Sequence, residues 1–322
     1  MSFRPSGASG EICSQLFCIF FKKNLQIRFL FVPLRCTNKL IHTNDMIEIH
    51  NLGFSYGPKA VLKNISMKVS EGNIYGLLGE NGVGKTTLLT LLCGLKKPQE
   101  GTILVDGRNP FDRQPSLLAD QFYLPDEVSP VHAKAIDFAK EHGVFWPNFD
   151  LEKFTTILGE LEVETGQRMD AMSAGQLKKT WIAFALACNA KYYYLDEPTN
   201  GLDIPSKAQF RKAVTRYTAE DSTLIISTHQ VRDLENIIDP IIILDNQAVL
   251  VNASMQEISE KLYFDYGTEI QPGALYLEQT PGGCIQVYPN TTGEESKVNV
   301  EAFFNTVHAH KDLVKPMFNS EK

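Results

Sequence analysis

Apolar residues along this chain follow two different periods. Alternation in Ile47-Glu48-Ile49, and again at Ile65, Met67 and Val69, is the two-residue period of strands with one buried face. Thr102 to Val105, ahead of Asp106-Gly107, reads the same way, and together these segments predict an antiparallel β layer. Unbroken apolar runs at Ile74 to Leu78, Tyr192 to Leu195, Leu224 to Ser227 and Ile241 to Leu244 instead predict strands buried on both faces. Helix-length segments separate the later runs, so the chain is expected to form an α/β fold with a parallel core sheet flanked by helices. Spacings of three and four mark the helices. They occur at Leu88, Leu91, Leu92 and Leu95, then at Ala133, Ile136, Phe138 and Ala139, and at Phe154, Ile157, Leu158 and Leu161. The last two sets fall in a helical insert spanning about 127–190. Beyond about Met255 the pattern weakens into Pro and Gly clusters, with one helical stretch near Val300 to Val314. No role for 252–322 follows from it.

With 322 residues, 43% of them hydrophobic, the chain can bury a large core. A net charge of −7 gives no basic field of the kind nucleic-acid binders carry, so DNA and RNA are not expected partners. No apolar run reaches the roughly eighteen residues of a membrane-spanning helix, the clusters being short ones such as Leu16 to Phe21. Membrane contact is therefore expected only through another protein. Six cysteines, Cys13, Cys18, Cys36, Cys93, Cys188 and Cys284, lie at scattered spacings without a Cys-x-x-Cys pair, and read as reduced cytosolic thiols. Residues 1–45 differ from the rest: six basic and two acidic residues give them a charge of +4. They read as a disordered or over-extended leader ahead of Met46, with a targeting peptide or a membrane-surface anchor as the functional alternatives.

The most specific chemistry lies at Gly79-Glu80-Asn81-Gly82-Val83-Gly84-Lys85-Thr86-Thr87, between the Ile74 to Leu78 strand and the leucine-rich helix. Strand, glycine loop and helix stand in the order a phosphate cradle requires. Gly79, Gly82 and Gly84 let backbone N–H groups turn toward a polyphosphate at a helix N-terminus, and Asn81 and Thr87 belong to the same cradle. Lys85 is expected on the β- and γ-phosphates of ATP, and Thr86 on Mg²⁺. About a hundred residues later, the strand at Tyr192 ends in Asp196-Glu197. Asp196 is the expected metal carboxylate, and Glu197 the group that orients and deprotonates the attacking water.

These two motifs together resemble the nucleotide-binding domain of an ATP-binding cassette (ABC) ATPase, over residues 46–251. Met172-Ser173-Ala174-Gly175-Gln176 is similar to the Leu-Ser-Gly-Gly-Gln signature of that family. The resemblance implies a P-loop NTPase fold with an antiparallel β subdomain and a helical insert. It also implies that Ser173, Gly175 and Gln176 act on the nucleotide of an opposite subunit, so that two chains, as homodimer or heterodimer, sandwich two ATP. His229, in Ser227-Thr228-His229-Gln230, matches the switch histidine; Tyr56 matches the aromatic that stacks on adenine; Asp203 matches the loop that crosses the dimer interface.

Two positions depart from the family pattern. Asp126 stands where a glutamine is usual; a carboxylate can still offer oxygen to Mg²⁺ but donates no hydrogen bond. Ala174 replaces the first signature glycine, tolerable at negative φ and costly where backbone meets phosphate. Phe145-Trp146-Pro147-Asn148-Phe149-Asp150 resembles the ATP-binding subunits of exporters of the ABC-2 or multidrug kind, with a separate permease. Trp146 and Phe149 are then either a permease-facing surface near Asp126 or the insert's own core. The resulting expectation is a cytoplasmic ATPase subunit, peripheral at the inner face of the cell membrane, that drives a permease. A soluble ABC ATPase of translation or DNA repair, or a weakly hydrolysing regulatory cassette, is the alternative.

Overall fold

A computed structural model of the chain describes residues 46–270 and 272–318. The leader and its cysteines Cys13, Cys18 and Cys36 lie outside the described residues. In chain order the elements are β1 (Met46–Tyr56), β2 (Lys59–Ser70), β3 (Ile74–Leu78), α1 (Lys85–Leu92), β4 (Glu100–Val105), α2 (Pro115–Ala119), β5 (Gln121–Leu124), α3 (Ala135–His142), α4 (Leu151–Glu160) and α5 (Ala174–Ala187). There follow β6 (Tyr192–Asp196), α6 (Ile204–Tyr217), β7 (Thr223–Thr228), β8 (Ile241–Asp245), β9 (Ala248–Ala253), α7 (Met255–Lys261), β10 (Leu262–Gly267), β11 (Tyr276–Thr280), β12 (Gly283–Pro289), α8 (Val300–Ala309) and α9 (Lys311–Phe318).

The core sheet has the order β5-β6-β7-β3-β8-β9. Its first five strands are parallel, four of them the expected unbroken apolar runs and the fifth, β5, outside them, and β9 closes one edge antiparallel to β8. Successive residues of each strand serve opposite faces. Tyr192, Tyr194, Ile225, Ile242 and Leu244 pack toward Leu88, Leu89, Leu91 and Leu92 of α1 and toward the antiparallel sheet β2-β1-β4. Tyr193, Leu195, Leu224, Ile226, Ile241 and Ile243 face the helical insert and the C-terminal elements. The β8–β9 hairpin turns through Asn246 and Gln247, both at positive φ (44° and 69°), as a two-residue hairpin turn requires.

The insert differs from its sequence reading in register. The buried stripe of α3 is Ala135, Phe138 and Ala139, whereas Ala133 precedes the helix and Ile136 is half-buried. In α4 the expected Phe154, Ile157 and Leu158 are fully buried, after an Asp150 N-cap that accepts from the Lys153 amide at 2.9 Å. Trp146 and Phe149 join this packing. Trp146 lies 5.3 Å from Phe122 and 5.6 Å from Phe184 between ring centres, and its Nε1 donates to Gln121 O at 3.0 Å; Phe149 lies 5.3 Å from Phe184. Gln121 begins β5 and Asp126 follows its other end, and the two half-buried aromatics pack against the insert's core.

The segment after Met255 is folded. β10, β12 and β11 form a second antiparallel sheet, and Val300, Phe303, Val307 and Val314 are fully buried in the same apolar cluster as Leu250, Val251 and Ile258. The helical stretch near Val300 to Val314 is two helices, broken at His310, whose Nε2 binds Leu275 O at 2.6 Å. None of the described helices is long and apolar enough to cross a membrane.

Candidate active site

Parallel strands deliver their carboxyl ends to one edge of the sheet, and ligands of such sheets bind there. At this edge β3 runs into the glycine loop, β6 ends in Asp196 and is followed by Glu197, β7 leads to His229, and β5 leads to Asp126. The loop is fixed by close packing. A Cβ on Gly79 would lie 2.5 Å from Leu244 O, and one on Gly84 would lie 2.9 Å from Val61 Cγ1 at a φ of +117°. Neither site admits a side chain, so the backbone passes where only glycine fits. Gly84 caps α1 without a side-chain hydrogen bond, and the first turn holds no acidic residue. The N–H groups at the start of α1 are thus the unsatisfied donors that suit a phosphate.

Lys85 is buried over this loop. Its Nζ donates to Gly79 O at 2.7 Å and Glu80 O at 3.2 Å, and stands 3.3 Å from Glu197 Oε1. Thr86 Oγ1 donates to Asp196 Oδ2 at 2.6 Å, and Ser227 Oγ donates to Asp196 Oδ1 at 2.5 Å. Burial raises the Asp196 pKa above its ordinary value; the Ser227 and Thr86 hydroxyls pull it down, and the nearby charges of Glu197 and Asp126 push it up. A hydroxyl and a carboxylate side by side are hard oxygen donors few in number, the set that suits Mg²⁺, which keeps several of its waters.

Glu197 adopts a left-handed conformation, φ +44°, uncommon for a residue with a side chain. Its amide is held by Ser227, donating to Oγ at 3.0 Å and to the carbonyl at 3.2 Å. That turn aims the carboxylate sideways. Oε2 lies 2.9 Å from His229 Nδ1 and accepts from the His229 amide at 3.4 Å, while Oε1 faces Lys85. Strain of this kind persists where surrounding contacts over-determine the backbone, and here they orient a potential general base.

Tyr56 is half exposed beside α1, its hydroxyl 3.3 Å from Thr87 Oγ1, its ring edge-on to Phe54 and 4.9 Å from Lys96 Nζ. Ser173 N-caps α5 in a reciprocal capping box with Gln176: Ser173 Oγ accepts from the Gln176 amide at 3.2 Å, and Gln176 Oε1 accepts from the Ser173 amide at 3.0 Å. Ala174 opens α5, is exposed, and is absent from the positive-φ residues, so its methyl meets no local obstacle. A Cβ on Gly175 would lie 3.9 Å from Gly201 O, which puts the signature motif beside the Asn200 to Asp203 loop. Asp203 N-caps α6 through the Ser206 amide at 2.9 Å.

Asp126, just past the end of β5, has contacts of its own. Its Oδ1 accepts from Asn200 Nδ2 at 3.1 Å and stands 3.8 Å from the buried Lys178 ammonium, while Thr86 and Asp196 contact each other directly. A carboxylate at this position attracts a cation that a glutamine would not. Sequence reasoning passed over Lys178, Asn200 and Ser227. For Ser227 a signal existed, since a hydroxyl ending a run of buried aliphatics needs a partner; for Lys178, beside Lys179, nothing local says which lysine turns inward.

Comparison with known proteins agrees with this geometry. The ABC transporter family model matches residues 62–200. The chain is 30% identical over 224 residues to the SkfA peptide export ATP-binding protein SkfE of Bacillus subtilis, covering 67% of this chain and 92% of that protein. It is 31% identical over 233 residues to the cobalt import ATP-binding protein CbiO of Salmonella typhimurium, covering 66% and 82%. It is 28% identical over 284 residues to the bacitracin transport ATP-binding protein BcrA of Bacillus licheniformis, covering 81% and 88%. A solved ATP-binding subunit of an ABC transporter superposes with a TM-score of 0.60 at 23% identity, over 66% of this chain and 91% of that one, and shares the fold. The chain belongs to the ABC transporter ATP-binding proteins, ATPases coupled to transport.

Proposed function

We propose that this chain is the Mg²⁺-dependent ATPase subunit of an export-type ABC transporter, peripheral on the inner face of the cell membrane through a separate permease, and working as a homodimer or heterodimer. The observation that carries the hydrolytic part is the carboxylate of Glu197 held between His229 and Lys85. Glu197 takes a proton from the attacking water, and His229 holds that carboxylate in place and reads the γ-phosphate. Lys85 exchanges its loop carbonyls for phosphate oxygens, which the loop residues Gly79, Asn81, Gly82, Gly84, Thr86 and Thr87 also receive, and Tyr56 stacks on adenine. Thr86 and Asp196 hold Mg²⁺, which neutralises charge on the phosphates when bound. Ser173, Gly175 and Gln176 act on the nucleotide of the other chain, so ATP binding itself favours the closed dimer.

Export is supported by the likeness to SkfE, and the likeness to BcrA over 81% of the chain supports transport without fixing its direction. The likeness to CbiO supports import instead. Inverted membrane vesicles carrying the chain and its permease separate the two. ATP-driven uptake of labelled bacitracin supports export; ATP-driven release of preloaded Co²⁺ with no uptake of bacitracin supports import.

A further inference from the structure

Lys178 lies on α5 five residues after Ser173, with only 4% of its surface exposed. Its Nζ donates to Asp126 O at 2.5 Å and Pro125 O at 3.3 Å, and lies 3.8 Å from Asp126 Oδ1. The same Oδ1 accepts from Asn200 Nδ2, and the Asn200 amide donates to Glu197 O at 3.1 Å. One ammonium therefore joins the signature helix to the end of β5, and the Asp126 carboxylate continues the connection to the residue after Glu197's turn. Desolvation lowers the Lys178 pKa, and Asp126, Asp196 and Glu197 oppose that shift, so the ammonium lies in the field of all three carboxylates. Asp126 in turn acts on Asp196 as a like charge. Left unbalanced, that charge would repel a polyphosphate arriving at the loop.

We infer that Lys178 is a positioning residue of the hydrolytic site: it neutralises the charge of Asp126 beside Asp196 and Glu197 and fixes the end of β5 against the signature helix. The inference rests on the reading of this site as an Mg²⁺–ATP site. Its mark is that Lys178 is needed only while Asp126 is charged, so that loss of Lys178 weakens nucleotide binding and removal of the Asp126 charge restores it.

The test is steady-state hydrolysis of Mg²⁺–ATP by the full chain, comparing wild type, Lys178→Gln, Asp126→Asn and the double variant. Lys178→Gln is expected to raise KM by about tenfold, because the half-exposed Asp126 carboxylate then faces the arriving polyphosphate without its counter-charge. Asp126→Asn is expected to leave KM no higher than wild type, and the double variant to return within about threefold of it, a non-additivity that contacting residues show. Two single variants that both raise KM, with a double variant equal to their product, would overturn the inference and leave Asp126 an independent ligand. If Lys178→Gln does not fold, the double variant decides: recovery near wild type supports the pair, and failure to fold or a tenfold KM defect contradicts it. Failure of every protein, wild type included, to bind Mg²⁺–ATP would instead remove the site reading on which the inference stands.

Discussion

Glu197 Oε2 lies 2.9 Å from His229 Nδ1, and the backbone amide of the same histidine approaches that oxygen at 3.4 Å. A carboxylate contacted twice by one residue has little rotational freedom, so His229 sets where Glu197 points. Replacing His229 by Ala should lower kcat by about 10²-fold, in the range of losing a positioned proton-transfer partner. Binding of a fluorescent ATP analogue should stay near wild type, because the loop, Lys85 and Thr86 are untouched. Equal loss of binding and turnover would place His229 in nucleotide binding alone.

The C-terminal elements should be inseparable from the cassette. Phe303 is fully buried in the cluster that includes Leu250 and Val251, and Phe303→Ala should destabilise the whole chain by about 3–5 kcal/mol, as truncated core aromatics do. A single urea transition shifted to lower denaturant is the expected readout; an unshifted transition would mean that this segment unfolds independently. By contrast His308 reaches Glu80 and Asp245 only at 3.7 Å and is 44% exposed. Its replacement by Ala should cost below about 1 kcal/mol, the ceiling for exposed ion pairs.

Acid should reveal the two capped carboxylates. Hydrogen bonds from the Ser206 hydroxyl and amide hold Asp203 below its ordinary value of 3.8, and Arg168 followed by His132 does the same for Asp170. A depressed folded pKa adds stability that is present above the unfolded value, near pH 4, and is lost as pH falls through the folded one. Burial raises Asp120 and Asp196, which act with the opposite sign, so the difference between proteins isolates the effect. The gap in urea midpoint between wild type and Asp170→Asn/Asp203→Asn should shrink from pH 5 to pH 2.5. A constant gap across that range would deny the two carboxylates this role.

The parts of this molecule that local pattern dictates were legible in the sequence. Strands β3, β6, β7 and β8 of the parallel sheet are apolar runs too short for a helix, and the glycine loop announces itself because its geometry admits little else at Gly79 and Gly84. What escaped depends on packing between distant segments. Lys178 and Lys179 are adjacent on one helix, and only the folded position of Pro125 and Asp126 turns the first inward. Trp146 and Phe149 could serve surface or core until Phe184 and Phe122 were placed beside them. The segment after Met255 reads weakly because its apolar residues are spread over a small sheet and two short helices that borrow the core of the cassette.

In the proposed function Glu197 performs hydrolysis in a site that two chains complete. Steady-state ATP turnover of the purified chain, measured against protein concentration for wild type and Glu197→Gln, tests it directly. Turnover per chain is expected to rise with concentration in the wild type and to fall at least about 100-fold in the variant, the usual cost of removing a general base, with ATP still bound. Glu197→Gln turning over ATP at the wild-type rate would contradict it.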